Sequence, residues 1–447
     1  MVCPVFLCLL LLSASTTSDL SYTWTRDVVV AAEPSDFQIW TAIDISLARR
    51  RELRRRKEMY HSHVQKREEK VVCYTRFIWC FRDEGPFEYW DTLPESPEII
   101  ETTFNLYTRH NLLEGDSLHY DNNSSLNVSH FNASNPVKII IHGFGGSAAN
   151  AWVGQMVEAM LETADVNVIV VDWNKGAKLP NYMQAAANSR LVGKEIAELI
   201  RLINYERGTA NEDYHLIGYS LGAHIAGFVG TEMKNLSRIT GGQWHSLCHH
   251  RRAIEYFIAS MEPGCSFTSV ACDNYEEFVR GDCFLCSDNT SCGNMGYFTD
   301  ESLPQIKMYL LTRADQPYCG IQYKVMIKHT EDQGITWGGL EITLMDDQEL
   351  SETFDVTERY EEIQDGVETQ SIVVAHPLLS NITKVIITYH KYVGWIYSGL
   401  DEWKINKVSV SGPFGNMFSY CSYATVLRDK QEIVLGLEPG ECILPDT

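Results

Sequence analysis

The chain is best equipped for covalent chemistry at Gly218-Tyr219-Ser220-Leu221-Gly222, a serine spaced between two glycines. The string follows the apolar run Tyr214 to Ile217 and leads into Ala223-His224-Ile225-Ala226-Gly227, which suits a helix. Between a strand and a helix, such a string makes a sharp elbow. The glycines tolerate the tight backbone, and the serine hydroxyl is left exposed. A serine placed this way can attack an ester carbonyl, and the charge that develops on the oxygen needs hydrogen-bond donors already in position. One donor is the backbone N–H of Leu221. The second is expected at Phe144, because His142-Gly143-Phe144-Gly145-Gly146 follows another apolar run, Val137 to Ile141. Either string alone reads equally well as a glycine turn; the two together point to an oxyanion hole. The hydroxyl also needs a base, which in this order of elements is a histidine following an acid. Several histidines lie downstream, and composition does not choose among them.

The elements that must position these groups are legible from their patterns. Val137 to Ile141, Val166 to Val171 and Tyr214 to Ile217 are short apolar runs that stop at His142-Gly143, at Asp172 and at Gly218, as buried strands do. Leu191, Val192, Ile196, Leu199, Ile200 and Ile203 recur at helical spacing between the last two runs. Strand, helix, strand in this order predicts a parallel sheet with crossover helices, an α/β fold. After Cys319 the texture changes. Ile321, Tyr323, Val325 and Ile327 alternate with polar residues, and short runs follow at Leu340 to Leu344, Ile372 to Ala375, Val385 to Tyr389, Trp403 to Val410 and Ile433 to Leu437. These predict a β-sandwich, whose end Cys421 and Cys442 are placed to staple.

A length of 447 residues favours two domains, and a hydrophobic fraction of 45% supports a sizeable core. The apolar run Val5 to Leu12 is too short to cross a bilayer. With the small residues after it, it reads as a signal peptide over residues 1–18, so no transmembrane segment is expected. Thirteen cysteines and sequons at Asn122, Asn123, Asn127, Asn132, Asn235, Asn289 and Asn381 agree with a secreted, extracellular, glycosylated protein. Cys272, Cys283, Cys286 and Cys292 are better read as disulfides than as a zinc site in that context, and no metal is assigned. The net charge of −22 excludes nucleic acid as a partner. The exception to this acidity is Arg49 to Lys57, RRRELRRRK, within a polar stretch over residues 19–70. That stretch reads as a disordered basic arm or as a propeptide removed at Lys66-Arg67.

Ile140-Ile141-His142-Gly143-Phe144, Val170-Val171-Asp172-Trp173, the elbow with its flanks from His215 to His224, and Arg238-Ile239-Thr240-Gly241 together closely resemble the animal pancreatic-lipase family of lipases and phospholipases A1. The resemblance runs from about Val72 to Cys442. It implies an α/β-hydrolase domain over 71–319 followed by a PLAT-type β-sandwich over 320–447. It also implies hydrolysis of triacylglycerol or phospholipid esters at a lipid–water interface, with any colipase-like partner unknown. By its Cys-x-His motif, Cys248-His249-His250 assigns the base to His250, with His249 as the fallback. The implied bridges are Cys73 to Cys80, Cys272 to Cys283, Cys286 to Cys292 and Cys421 to Cys442.

The departure from the family pattern is equally specific. In the family, Arg-Ile-Thr-Gly runs on into the triad aspartate, a calcium loop and a lid; here Gly241 passes through six residues straight to Cys248. No triad acid, calcium site or other cofactor is therefore identified, and the hydrolase domain is internally truncated near 241–248. Glu232 is the one carboxylate between Ser220 and His250. On a helix starting at the elbow it lies on the order of 18 Å from Ser220, too far to orient His250. Asp172 ends a neighbouring strand and reads as structural. Cys248, Cys265 and Cys319 form an odd set. Six residues span at most roughly 25 Å, so whether His250 reaches Ser220 is left to the tertiary structure. The expectation is an impaired serine esterase. The alternative is a non-catalytic protein or splice product that binds a lipid surface or a partner through the sandwich, with Trp395 and Tyr397 as candidate contacts.

Overall fold

The computed structural model describes residues 34–60, 70–75, 77, 79–84, 87, 92–242, 247–286, 291–299, 306–358 and 361–444. The expected signal peptide, the Lys66-Arg67 pair and the sequon at Asn289 lie outside them. The chain divides into two compact units, one ending at Ile258 and the other beginning at Ala259. The cysteine-rich segment from Ala259 to Cys319 thus groups with the sandwich, on the far side of the boundary from the elbow.

The first unit is built on a six-stranded sheet. Its strands are β1 (Thr103–Tyr107), β2 (Asp116–Leu118), β3 (Val137–Ile141), β4 (Asn167–Asp172), β5 (Tyr214–Tyr219) and β6 (Arg238–Gly242), in the order β2-β1-β4-β3-β5-β6. β3 pairs parallel with β4 and β5, and β5 with β6; β1 is antiparallel to both of its neighbours. Central parallel strands are covered on both faces, so they read as continuous rather than alternating apolar runs. Accordingly Ile139, Ile140, Ile141, Val168, Ile169, Val171 and Leu216 are fully buried. The longer helices are α1 (Asp36–Tyr60), α2 (Ala151–Thr163), α3 (Tyr182–Arg207), α4 (Leu221–Glu232) and α5 (Leu247–Ala259). α3 starts at an Asn181 side chain that accepts from the Gln184 N–H, and ends at Gly208 with φ of 70°, a conformation open to glycine at little cost. The helical spacing from Leu191 to Ile203 lies on its buried face.

The structure differs from the expectation of a disordered arm before residue 71. Residues 36–60 are a 25-residue helix, α1, with Ala42 and Ser46 buried and Ile39 and Ile43 packed on the core of the first unit. The charge run sits in its second half, so the apolar residues that anchor the helix precede the arginines.

The second unit carries β7 (Ile321–His329), β8 (Ile335–Asp346), β9 (Ser351–Asp355), β10 (Glu361–Gln364), β11 (Glu368–Ala375), β12 (Ile382–Lys391), β13 (Glu402–Ser411), β14 (Met417–Arg428), β15 (Glu432–Gly436) and β16 (Glu438–Pro439). They form two antiparallel sheets, β11-β7-β13-β14-β16 and β9-β8-β12-β15, with β10 paired to β8. Tyr323, Val325 and Ile327 of one sheet share a core with Leu340, Ile342 and Leu344 of the other. The alternation read from the sequence is therefore the inner face of a β-rich layer pair. In that core Trp403 donates to His329 Nδ1 at 2.9 Å and His329 Nε2 meets Thr369 Oγ1 at 2.7 Å. Nε2 is then the protonated nitrogen, and burial pushes the ring's pKa down to about 4.

Disulfides join Cys73 to Cys80, Cys272 to Cys283, Cys286 to Cys292 and Cys421 to Cys442. A fifth joins Cys265 to Cys319, which no sequence motif indicated. It leaves Cys248 as the remaining member of the odd set, and the Cys248 side chain lies outside the described residues. No helix among the described residues is long and apolar enough to cross a membrane.

Candidate functional site

β5 ends at Tyr219 and α4 begins at Leu221, so Ser220 is the whole of the turn between them. Its backbone has φ of 56° and ψ of −121°, a strained conformation for a residue with a side chain. Glycines on both sides are sterically required. A Cβ on Gly218 would lie 2.3 Å from the Gly222 carbonyl oxygen, and one on Gly222 would lie 2.1 Å from the Ile141 carbonyl oxygen. The elbow is thus pressed against the end of β3, where the second glycine loop begins.

That loop is held equally closely. A Cβ on Gly143 would meet Ser220 Cβ at 2.5 Å and Ser220 Oγ at 3.2 Å, so only a glycine lets the loop backbone lie this near the hydroxyl. Gly145, with φ of 73°, donates its N–H to Ala177 O at 2.8 Å, and Gly146 donates to Gly143 O at 3.1 Å. Phe144 is buried, its ring edge-on to Tyr182 at 5.2 Å. Leu221 is the first residue of α4, where backbone N–H groups have no partner within the helix.

The loop is fixed from behind by His142 and Asp172. His142 is buried; its Nδ1–H donates to Gly143 O at 2.9 Å, and its Nε2 lies 3.1 Å from both Asp172 Oδ1 and the Trp173 N–H. Trp173 stacks on the imidazole at 5.6 Å and donates its indole N–H to His142 O at 2.9 Å. Burial raises the Asp172 carboxyl, but the hydrogen bond and charge of His142, with the N–H groups of Asn174 and Ala148, outweigh it and hold the group below its ordinary value. With both nitrogens engaged and the ring out of solvent, His142 holds the loop and has no nitrogen left for Ser220.

His250 lies in the first turns of α5. Its ring packs on Tyr219 at 4.5 Å, against the residue that immediately precedes Ser220, and Trp152 covers Tyr219 at 5.6 Å. The short join therefore brings His250 back to the elbow: β6 runs parallel to β5 as far as the pairing of Tyr219 with Gly242, and the chain leaves the sheet beside the nucleophile. The His249 side chain lies outside the described residues. Glu232 ends α4 and pairs with Lys194 at 2.6 Å and Arg201 at 3.7 Å, so its partners are on α3. Glu255, one and a half turns beyond His250 on its own helix, pairs with Arg252 at 3.1 Å and Arg251 at 3.8 Å. Asp172, Glu232 and Glu255 each already answer to another group.

Three residues around the site carry no motif. Tyr182 backs Phe144, Tyr219 supports His250, and Trp40 of α1 stands edge-on to His250 at 6.1 Å. Tyr219 sits in the variable position of the elbow string, and Trp40 and Tyr182 are single aromatics in helical sequence; no local pattern marks any of them.

A family model described as Lipase matches residues 72–243 and 242–318, more than half of the chain. The chain belongs to the lipase family. The match comes in two pieces that meet at 242–243, next to the join where the expected segment is missing, and this is consistent with an internal loss from a lipase. The chain is 29% identical to pancreatic lipase-related protein 2 of Cavia porcellus, over 57% of this chain and 75% of that one. It is 28% identical to human inactive pancreatic lipase-related protein 1, over 58% and 74%. With the pancreatic triacylglycerol lipase of Myocastor coypus, identity is 24% over 82% of this chain and 98% of that protein. Its relatives thus include one named as inactive, so membership of the lipase family leaves turnover to be argued from the site.

Proposed function

We propose that the chain is a secreted carboxylic-ester hydrolase of impaired activity, acting on triacylglycerol or phospholipid through an acyl-enzyme on Ser220. The observation that carries this reading is the approach of Gly143 to Ser220: a loop backbone held against a strained elbow serine is an arrangement suited to an oxyanion. In this mechanism Ser220 Oγ attacks the ester carbonyl and passes its proton to His250, while the N–H groups of Phe144 and Leu221 hold the oxyanion. His250 then protonates the departing alcohol, and a water activated by the same imidazole releases the acid. The reading takes no metal and no other cofactor. The missing step is orientation. Without a carboxylate to fix its tautomer, a triad histidine loses on the order of ten-thousandfold in rate, while the oxyanion hole retains some catalysis. The relative named as inactive makes a weakened member unsurprising, and the disulfides suit export.

A second reading rests on the second unit, which we take as a PLAT-type sandwich. In its 392–400 loop Trp395 is 99% exposed and Ile396 86%, while Tyr397 packs on Trp337 and Tyr392 at 5.3 and 5.2 Å. An indole held out of a sandwich on a braced loop suits contact with a lipid surface and does nothing for the core. It would serve a lipase and a non-catalytic lipid binder alike.

A serine-directed phosphonate separates the two. Labelling that disappears in Ser220→Ala, with slow ester turnover, is the expected result. Well-folded protein that takes no label but floats with liposomes would overturn the hydrolase and leave the binder.

A further inference from the structure

The mechanism above makes no use of α1, yet this helix meets both the oxyanion loop and His250. Ile39 packs on the open face of the oxyanion loop: a Cβ added to Gly145 would sit 3.4 Å from Ile39 Cγ1, beside Leu179 at 3.6 Å. One residue on, Trp40 stands edge-on to His250. A turn further, Ala42 and Ser46 are 5% and 7% exposed, so the helix is seated on the body. Arg50 then reaches the surroundings of Tyr182, whose ring supports Phe144. The covering half spans Ile39 to Ser46; immediately after it come Arg49, Arg51, Arg54, Arg55 and Arg56, all exposed.

We propose that α1 is an autoinhibitory cover, seated over the Gly145–His250 side of the Ser220 site and released by displacement or by cleavage in its exposed arginine stretch. In the proposal an acyl chain enters along the oxyanion loop on the side where Ile39 meets Gly145 and Trp40 meets His250. Among the described contacts of the cover are two small buried residues, two partly buried isoleucines and one edge-on aromatic pair. Access to the site then follows the fraction of time the cover is open. The arginines also give it a point of release. They lie on the side of the cover that connects to the body, so a cut among them separates the covering half from the rest of the chain.

This inference rests on the reading of Ser220 as the site, and its test does not depend on catalysis. In the full chain, Ser220→Cys replaces the hydroxyl with a thiol whose reaction with a small maleimide reports access alone; the unsubstituted chain gives the background from other thiols. Adding Ile39→Asp, which places a charge on the packed face of α1, is expected to raise the alkylation rate about tenfold, the change for a closed state favoured over the open one by that factor. If that variant does not fold, Trp40→Ala, which deletes the edge-on contact with His250, is expected to raise the rate by a smaller factor. Brief trypsin treatment, with the cut located by mass spectrometry within 49–57, is expected to match Ile39→Asp, and a peptide of residues 34–48 is expected to slow the cleaved protein again. Equal rates for covered, substituted and cleaved protein would overturn the cover. If access rises but the phosphonate still fails to label the uncovered serine, the cover stands and the hydrolase reading falls.

Discussion

The two halves of the Ser220 site are built by different means. The oxyanion half is fixed by close backbone approach: Gly143 against Ser220, Gly222 against Ile141, and His142 tied to Gly143, Asp172 and Trp173. The histidine half is a helix that enters after a short join and leans on aromatic rings, Tyr219 on one side and Trp40 on the other. The contacts of the first half are made between neighbouring strands of a buried sheet. In the proposed reading the second half works without the family's triad carboxylate. On that reading the site is better prepared to stabilise an oxyanion than to generate the nucleophile.

The largest effect that would break this comparison is expected at Gly222. Gly222→Ala drives a methyl group into the Ile141 carbonyl oxygen and is expected to cost about 3 kcal/mol or more and to abolish Ser220 labelling, read by thermal denaturation and phosphonate incorporation. His250→Ala is expected to slow labelling by only about tenfold, since members of a triad act as a unit and in the proposed reading this one lacks its acid. A fall as deep as that of Gly222→Ala would mean that a carboxylate does orient His250.

Glu195 on α3 sharpens the contrast between the core and the site. Its carboxyl is buried, accepts from the Tyr120 hydroxyl at 3.1 Å, and is pushed from 4.5 up to about 7, chiefly by loss of hydration. As the pH rises from 4.5 towards 7 the unfolded chain gives up this proton while the folded chain keeps it. Stability therefore falls across that window, by about 3 kcal/mol in all, and levels off above it. Glu195→Gln is expected to remove the slope, so that the variant gains on the parent in melting temperature between about pH 5 and about pH 8. A constant difference would show that the carboxyl is not held neutral.

Asp172→Asn comes next. It weakens the bond that holds His142 and is expected to cost about 1 to 2 kcal/mol and to slow labelling without abolishing it; loss of stability with unchanged labelling would show that the pair does not position the oxyanion loop. The smallest effect is expected from Glu232→Ala. Glu232 and Lys194 are only partly buried, so the pair is worth about 1 kcal/mol or less, and labelling should not change. A large loss of labelling would reinstate Glu232 as a working acid.

Legibility of the fold and site followed the range of the interactions involved. The strands at Val137–Ile141 and Tyr214–Tyr219, the helix through Leu191 to Ile203 and the alternation from Ile321 could be read because each pattern is set by which face of one element is buried. The elbow could be read because a backbone as tight as that at Ser220 requires glycine two residues to either side. The helical state of Asp36–Tyr60 could not, since its arginines mask a short apolar anchor in a chain of polar residues. Nor could the Cys265–Cys319 bridge, whose residues stand 54 apart and share no motif.

The sequence by itself determined that Ser220 sits on an elbow and that glycines let two loops meet there, because steric demands of a turn are written in the residues that make it. Only the tertiary structure decided that His250 returns to Tyr219, that Glu232 is taken by Lys194, and that Ile39 and Trp40 lie over the loop and the histidine. Those are contacts between segments remote in sequence, and they are set by how buried faces pack together, which no local pattern records.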